Sequence, residues 1–127
     1  MRVLLDTHIA LWAVTDHPGL TPHARQLISN AQNVFVSAAS IWEIAVKHAL
    51  GRSNIGFSGG EALEAFTAAG FELLSISAQH AAAVDTLAPL HADPFDRMLI
   101  AQAQTEPLHL LTHDAQLARY SPLITLV

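Results

Sequence analysis

Five acidic residues stand where short apolar runs end or where helices begin: Asp6, Glu43, Asp93, Asp96 and Asp114. Asp6 directly follows Val3-Leu4-Leu5. Glu43 lies one turn into the helical pattern after Val34-Phe35-Val36-Ser37. Asp93 and Asp96 bracket Pro94-Phe95 at the start of another helical pattern. Asp114 follows Leu110-Leu111-Thr112-His113. Carboxylates gathered at one edge repel one another, and their pKa values rise unless a cation sits between them. Hard oxygen donors of this type suit Mg2+ or Mn2+. Such ions activate water and stabilise charge on a phosphodiester.

Each acid also has an ordinary structural reading. Asp93 ahead of Pro94 is a helix N-cap, and Asp96 in the first turn favours the helix dipole. Glu43 can close a capping box with Ser40 or pair with Lys47 four residues on. Asp114 can cap a last short helix. Asp6 is harder to absorb, because a carboxylate at the end of an inner strand needs partners or a metal. The constellation carries more weight than any one member.

Hydropathy supplies the elements that must position these acids. Residues 2–5, 34–36, 73–76, 108–111 and 124–126 are short and apolar on both faces, as buried parallel strands are. Helical patterns fill the intervals. One covers 9–14. A second runs from Thr21-Pro22 to about residue 32. A third passes through Ile41, Ile44, Ala45 and His48 and stops at Gly51. Others cover 61–69, 78–87 and 94–104, and Asp114 opens a last short one. Residues 53–60 read as a loop. The order β-α-α-β-α-α-β-α-α-β-α-β implies an α/β fold, a mainly parallel sheet of four or five strands wrapped by helices. It is read as one domain over residues 1–127. In such sheets function gathers beyond the carboxyl ends of the strands.

Composition narrows the classes. Hydrophobic residues make up 51% of the 127 and charged residues 13%, enough for a core and too apolar for a disordered chain. The surplus of apolar residues suggests a further interface, with a second protein or a second copy. Eleven acids against six bases exclude a generic basic nucleic-acid coat, although bound cations can supply the missing positive charge. With no cysteine, disulfides, thiolate metal sites and cysteine nucleophiles are excluded. No apolar run is long enough to cross a bilayer, and Asp6 and His8 interrupt the apolar N-terminus. The chain reads as soluble and cytoplasmic.

Eight histidines raise a zinc hydrolase as a rival. His8 and His113 neighbour Asp6 and Asp114, and on a strand His8 and Asp6 share a face. No His-Glu-x-x-His or His-x-His pair occurs, so zinc is the weaker reading. His48 falls on an apolar helical face and reads as packed. His17, His23, His80, His91 and His109 read as surface or turn residues. Trp12 and Trp42 read as core packing, with base stacking as the minor alternative.

Four segments, in order along nearly the whole chain, resemble the motifs of PIN-domain nucleases. They are Leu4-Leu5-Asp6-Thr7-His8-Ile9-Ala10-Leu11-Trp12, Ser37-Ala38-Ala39-Ser40-Ile41-Trp42-Glu43-Ile44-Ala45-Val46-Lys47, Asp93-Pro94-Phe95-Asp96-Arg97-Met98-Leu99-Ile100-Ala101-Gln102-Ala103, and Leu110-Leu111-Thr112-His113-Asp114. The length and the Asp-Thr-His and Ser-Ile-Trp-Glu wording resemble the VapC-type toxins of bacterial toxin–antitoxin pairs. The resemblance implies a three-layer α/β/α domain and an endoribonuclease using one or two Mg2+ or Mn2+ ions. It makes Asp6, Glu43, Asp96 and Asp114 the metal-binding carboxylates. Asp93 is then a helix cap, with a contact to the metal or to one of its ligands as its further role. Thr7 and Thr112 hold neighbouring carboxylates by hydrogen bonds. Lys47, Arg52 and Arg97 are the bases nearest the motifs and candidates for RNA phosphates, with a solvated surface charge as the plainer reading of Arg52. A homodimer and a small antitoxin that blocks the site are implied as well.

Two other classes compete. A phosphoacceptor receiver domain has a similar size and an acidic pocket at strand ends. It needs an acidic pair after the first strand and a lysine at the last strand end, whereas the only lysine is Lys47, on a predicted helix. A PIN-like module that only binds is the other, and the presence of all four acids speaks against it. The P-loop, the Gly-x-Ser-x-Gly elbow and the Gly-x-Gly-x-x-Gly fingerprint are absent.

Overall fold

The structure is a computed structural model and describes residues 1–52, 56–90 and 92–127. Strand β1 (Arg2–Leu5) leads into α1 (Thr7–Thr15) and α2 (Pro22–Asn30). Strand β2 (Asn33–Ser37) leads into α3 (Ala38–Ala49) and α4 (Gly59–Ala68). Strand β3 (Glu72–Leu74) is followed by α5 (Ala78–Ala83), a 3₁₀ turn at Val84–Thr86 and α6 (Pro94–Thr105). Strand β4 (His109–Thr112) reaches β5 (Ile124–Leu126) through a second 3₁₀ turn at Leu117–Arg119.

All five strands form one parallel sheet in the order β3-β2-β1-β4-β5. The chain steps outward from β1 to β3, then returns to the far side of β1 for β4 and β5. The direction therefore reverses between β1 and β4, and a crevice opens at such a switch point beyond the strand ends. The sheet is packed on both faces, giving the expected α/β/α layers. Val3, Leu5, Val36 and Leu111 face one core with Ile9, Ala24, Ile44 and Phe66. Leu4, Phe35 and Leu110 face the other with Ala39, Leu99, Ile100 and Leu117. Alternate residues of β1 thus serve opposite cores, which is why that strand is apolar throughout.

Helix starts follow the capping chemistry more closely than composition suggested. Helix α1 begins at Thr7 rather than near Ile9, because Asp6 Oδ1 accepts from the Ile9 N–H at 2.9 Å. Helix α4 begins at Gly59 within the stretch expected to be loop. Ser58 and Glu61 exchange side-chain and backbone hydrogen bonds in a capping box, and this outweighs two glycines. Gly59 also has a packing reason: a Cβ there would lie 2.8 Å from Ala45 Cβ, so its absence lets α4 close on α3. Residues 53–55 of the expected loop, and His91, lie outside the described residues.

Two further expectations shift. Strand β3 occupies 72–74 instead of 73–76 and is an edge strand, paired only with β2. Leu73 is consequently 46% exposed rather than buried on both faces. The last short helix is only the 3₁₀ turn, opened where the Asp114 carbonyl accepts from Leu117 N–H at 3.1 Å. Among the described residues no helix is long and apolar enough to cross a membrane.

Candidate active site

Strands β1 and β4 end side by side. The Asp6 N–H donates to the Leu111 carbonyl at 3.0 Å, which carries the ladder one step past β1 and sets Asp6 beside Thr112. The Thr112 hydroxyl donates to Asp6 Oδ2 at 2.5 Å, and the Ile9 N–H donates to Oδ1. The same Thr112 oxygen accepts from the Asp114 N–H at 3.0 Å. One buried hydroxyl therefore ties the two carboxylate-bearing segments together.

Asp6 is 6% exposed. Burial pushes its carboxyl above the usual carboxylate range, against the opposing pull of Thr112, the Ile9 N–H and His8. The Ile9 N–H and the Thr112 hydroxyl take one oxygen each, and the His113 N–H also favours the ionised form. Asp114 is half-buried, and its Oδ1 accepts from Gln116 N–H at 2.9 Å. Both acids line a cleft of about 470 Å³ with His8, Trp12, His113 and Ala115.

A second arrangement begins one residue along. Helix α3 starts at the end of β2 with Ser37 as its cap, which carries Glu43 inward to 4% exposure. The Thr7 hydroxyl lies 2.7 Å from Glu43 Oε1 and 2.9 Å from Ser40 Oγ. A hydroxyl carries one proton, so Thr7 donates to the carboxylate and accepts from Ser40. The other Glu43 oxygen pairs with Lys47 Nζ at 2.5 Å. Ser40 therefore does not close a capping box with Glu43, and its partner across the fold is Thr7.

The third acidic segment stands at the start of α6. Asp93 Oδ1 accepts from Phe95 N–H at 2.8 Å and Asp96 N–H at 3.1 Å, the expected cap. Asp96 sits half-buried in the first turn. Phe95 meets Trp42 edge-on at 4.9 Å, so this end of α6 abuts α3 next to Glu43. Asp96 and Glu43 do not appear in the cleft lined by Asp6 and Asp114. Among the described residues no three acidic or histidine side chains converge closely enough to enclose an ion.

Oxygen donors of this kind fit Mg2+ or Mn2+ without a closed cage. Mg2+ keeps several waters and takes one or two carboxylates together with substrate phosphates. The buried carboxylate of Asp6, with Asp114 in the same cleft, meets that requirement. Glu43 meets it less directly, because both of its oxygens are already engaged.

A sequence profile for the family described as PIN domain matches residues 3–122. The chain belongs to the PIN-domain family. No curated protein matches its sequence. Solved PIN-like folds are similar at low identity. A chain of VapBC2 from Rickettsia felis, bound to a promoter DNA fragment, is 20% identical, with a TM-score of 0.70, covering 100% of this chain and 98% of that one. A chain of DNA-bound VapBC from Salmonella typhimurium is 18% identical, with a TM-score of 0.68 and coverage of 100% and 97%. A Mycobacterium tuberculosis toxin described as cleaving the sarcin-ricin loop is 14% identical, with a TM-score of 0.58 and coverage of 92% and 93%.

Several sequence readings of this PIN domain need correction. Arg97 does not reach the cleft as a phosphate contact. Its guanidinium donates to the carbonyls of Val84, Leu87 and Ala88 at 3.1–3.4 Å and holds that turn against α6. Arg52 is exposed beyond the C-terminal end of α3, in keeping with its plainer reading as a solvated charge. His8 does not share a strand face with Asp6, because α1 has already begun at Thr7. His48 is exposed, whereas His80 is 2% exposed, its Nδ1 accepting from Ser77 N–H and its Nε2 lying 2.5 Å from Glu106. Trp42 is 55% exposed rather than core. Local spacing identified these helices but not which neighbour covers each face. Ser40 was read only as a capping partner of Glu43, and its place against Thr7 in the site was missed, the sequence signal being no more than a hydroxyl one turn before Glu43.

Proposed function

We propose that this PIN domain, as one unit over residues 1–127, is a metal-dependent endoribonuclease and the toxin of a bacterial toxin–antitoxin pair. The observation that carries the reading is Asp6. It is a buried carboxylate kept at a sheet switch point by Thr112, with Asp114 in the same cleft. Folding a charge into that position is unfavourable unless hydrogen bonds and a cation offset it.

In this reading Asp6, Asp96, Asp114 and Glu43 hold one or two Mg2+ or Mn2+ ions. Bound there, the cation supplies an activated water and neutralises charge on the phosphodiester. The side chains do the positioning. Thr112 and the Ile9 N–H fix the two Asp6 oxygens, and Thr7 with Ser40 fixes Glu43. Asp93 holds the first turn of α6 and with it Asp96. Lys47 offsets the Glu43 charge, and with Arg52 it is a base available to RNA phosphates. No side chain serves as nucleophile.

An antitoxin partner is supported by the similar folds found in toxin–antitoxin complexes, including one from Klebsiella pneumoniae. Trp42, Leu50, Leu63, Leu73, Leu90 and Leu126 are exposed large apolar residues that an antitoxin and a second copy would cover. A homodimer in the cytoplasm is part of this reading. The receiver reading loses ground to the family match and to Lys47, which lies on α3 against Glu43.

The test is RNA cleavage by purified protein with Mn2+, with EDTA, and with Asp6→Asn as the control for contaminating nucleases. Cleavage lost in both controls supports the reading. A folded protein that binds Mn2+ and RNA without cutting any RNA offered would leave a binding module instead.

A further inference from the structure

Three of the eight histidines gather on one tryptophan. His17 stacks on Trp12 at 5.1 Å and 11° between planes. His113 meets Trp12 edge-on at 5.2 Å, and His8 lies tilted at 6.2 Å. The three imidazoles are exposed and Trp12 is half-buried. His8, Trp12 and His113 line the same cleft as Asp6 and Asp114.

These rings are held in place. His17 Nδ1 accepts from Gly19 N–H at 2.8 Å, and a Cβ on Gly19 would fall 2.8 Å from that nitrogen and 3.2 Å from Trp12. Glycine at 19 is what admits the stack. His113 Nδ1 lies 3.2 Å from the Val127 carbonyl, which orients its ring. Aromatic surfaces already fixed lose little freedom when a planar ligand stacks on them.

Four of the six permanent cations have partners outside the cleft. Lys47 pairs with Glu43, Arg25 with Asp16, Arg97 with backbone carbonyls, and Arg2 sits over the Phe35 ring. Among the described residues no lysine or arginine lines the cleft. Affinity from neutralised phosphates is therefore weak at this site, and stacking is the other general source of single-strand affinity.

We propose that Trp12, with His8 and His113, forms a stacking wall for one unpaired nucleobase beside the phosphate to be cut. The proposal rests on the nuclease reading above and adds the surface that receives the base next to the cut. A base within a duplex has both faces covered by its neighbours and cannot enter. The cleft volume of about 470 Å³ falls within the range of roughly 300–1,000 Å³ typical of small-ligand sites and accommodates one nucleotide.

Trp42→Phe leaves Trp12 as the only tryptophan, at the expense of an exposed ring. In EDTA, this protein is titrated with short oligoadenylate and with an abasic ribose-phosphate oligomer of equal length. Oligoadenylate quenches Trp12 fluorescence and binds about tenfold more tightly than the abasic oligomer. Its affinity changes little between about 50 and 200 mM salt. His113→Ala weakens binding without shifting the melting temperature, and Trp12→Phe retains binding that Trp12→Leu loses. Equal affinity for both oligomers, or unmoved fluorescence, overturns the proposal. Mn2+-dependent cleavage with a silent Trp12 leaves the nuclease and removes the wall. Quenching without any cleavage leaves a base-binding wall and removes the nuclease.

Discussion

The Thr112 hydroxyl donates to Asp6 Oδ2 at 2.5 Å, joining residues 106 positions apart in the chain. Both are buried, Thr112 fully. A hydrogen bond to a buried carboxylate is stronger than one between neutral groups, and leaving its acceptor unmet costs more than the bond itself gains. Thr112→Val preserves shape and removes the donor. It is expected to lose about 1–3 kcal/mol of metal-free stability in urea unfolding, and to lower cleavage while the circular dichroism spectrum is unchanged.

Burial holds the Asp6 carboxyl above its unfolded value, so its ionisation opposes folding. The favourable contribution of the protonated form is complete below the unfolded pKa, 3.8, and is lost as pH rises through the folded value. Asp6→Asn, which can still cap α1, is therefore expected to melt higher than the parent near neutral pH in EDTA. The difference shrinks on acidification. Mn2+ at millimolar concentration raises the parent melting temperature and leaves Asp6→Asn unmoved. A parent melting curve indifferent to Mn2+ would contradict a cation at Asp6. Asp96→Asn is expected to abolish cleavage with the fold intact, and full cleavage by it would move the third acid to Asp93.

Glu43 is buried with Lys47 as its cation. Lys47→Gln leaves the carboxylate without that charge and is expected to destabilise by about 1–3 kcal/mol. Because Lys47 occupies one Glu43 oxygen, the variant also gains more from Mn2+ than the parent if Glu43 is a ligand. Thermal melts with and without the ion separate the two effects.

Adjacent glycines at the start of α4 are expected to respond with opposite signs. A Cβ at Gly60 meets nothing within 4 Å, so Gly60→Ala gains up to about 1 kcal/mol from helix propensity. A Cβ at Gly59 lies 2.8 Å from Ala45 Cβ, so Gly59→Ala separates α4 from α3 and lowers stability. Denaturant midpoints of the two variants decide it.

Arg97→Lys keeps the charge and loses the fork that serves the Val84, Leu87 and Ala88 carbonyls. Amide exchange over residues 84–88 is expected to quicken, with a stability loss of about 1–2 kcal/mol. Exchange unchanged in that turn would show that the contacts do not hold it.

Local chemistry was legible in the sequence because it depends on neighbours only a few residues away. The alternation of short apolar runs and helical periods specified the α/β order. Thr21-Pro22 and Asp93-Pro94 specified two helix starts, since each cap bonds to an N–H two or three residues on. The four motifs named the family from residue types and order alone. What covers each surface was not legible. His80 is enclosed by α6, its ring against Glu106, 26 residues on, and Trp42 is left outside, because burial is set by elements distant in sequence. The same limit applied to the acids. The resemblance to PIN-domain motifs gathered Asp6, Glu43, Asp96 and Asp114 as one set. The reversal of strand order between β1 and β4 placed Asp6 and Asp114 in one cleft and left Glu43 with Lys47 and Thr7. Residue type determines which atoms can bind a cation, but only the sheet's connectivity determines which of those atoms face the same space.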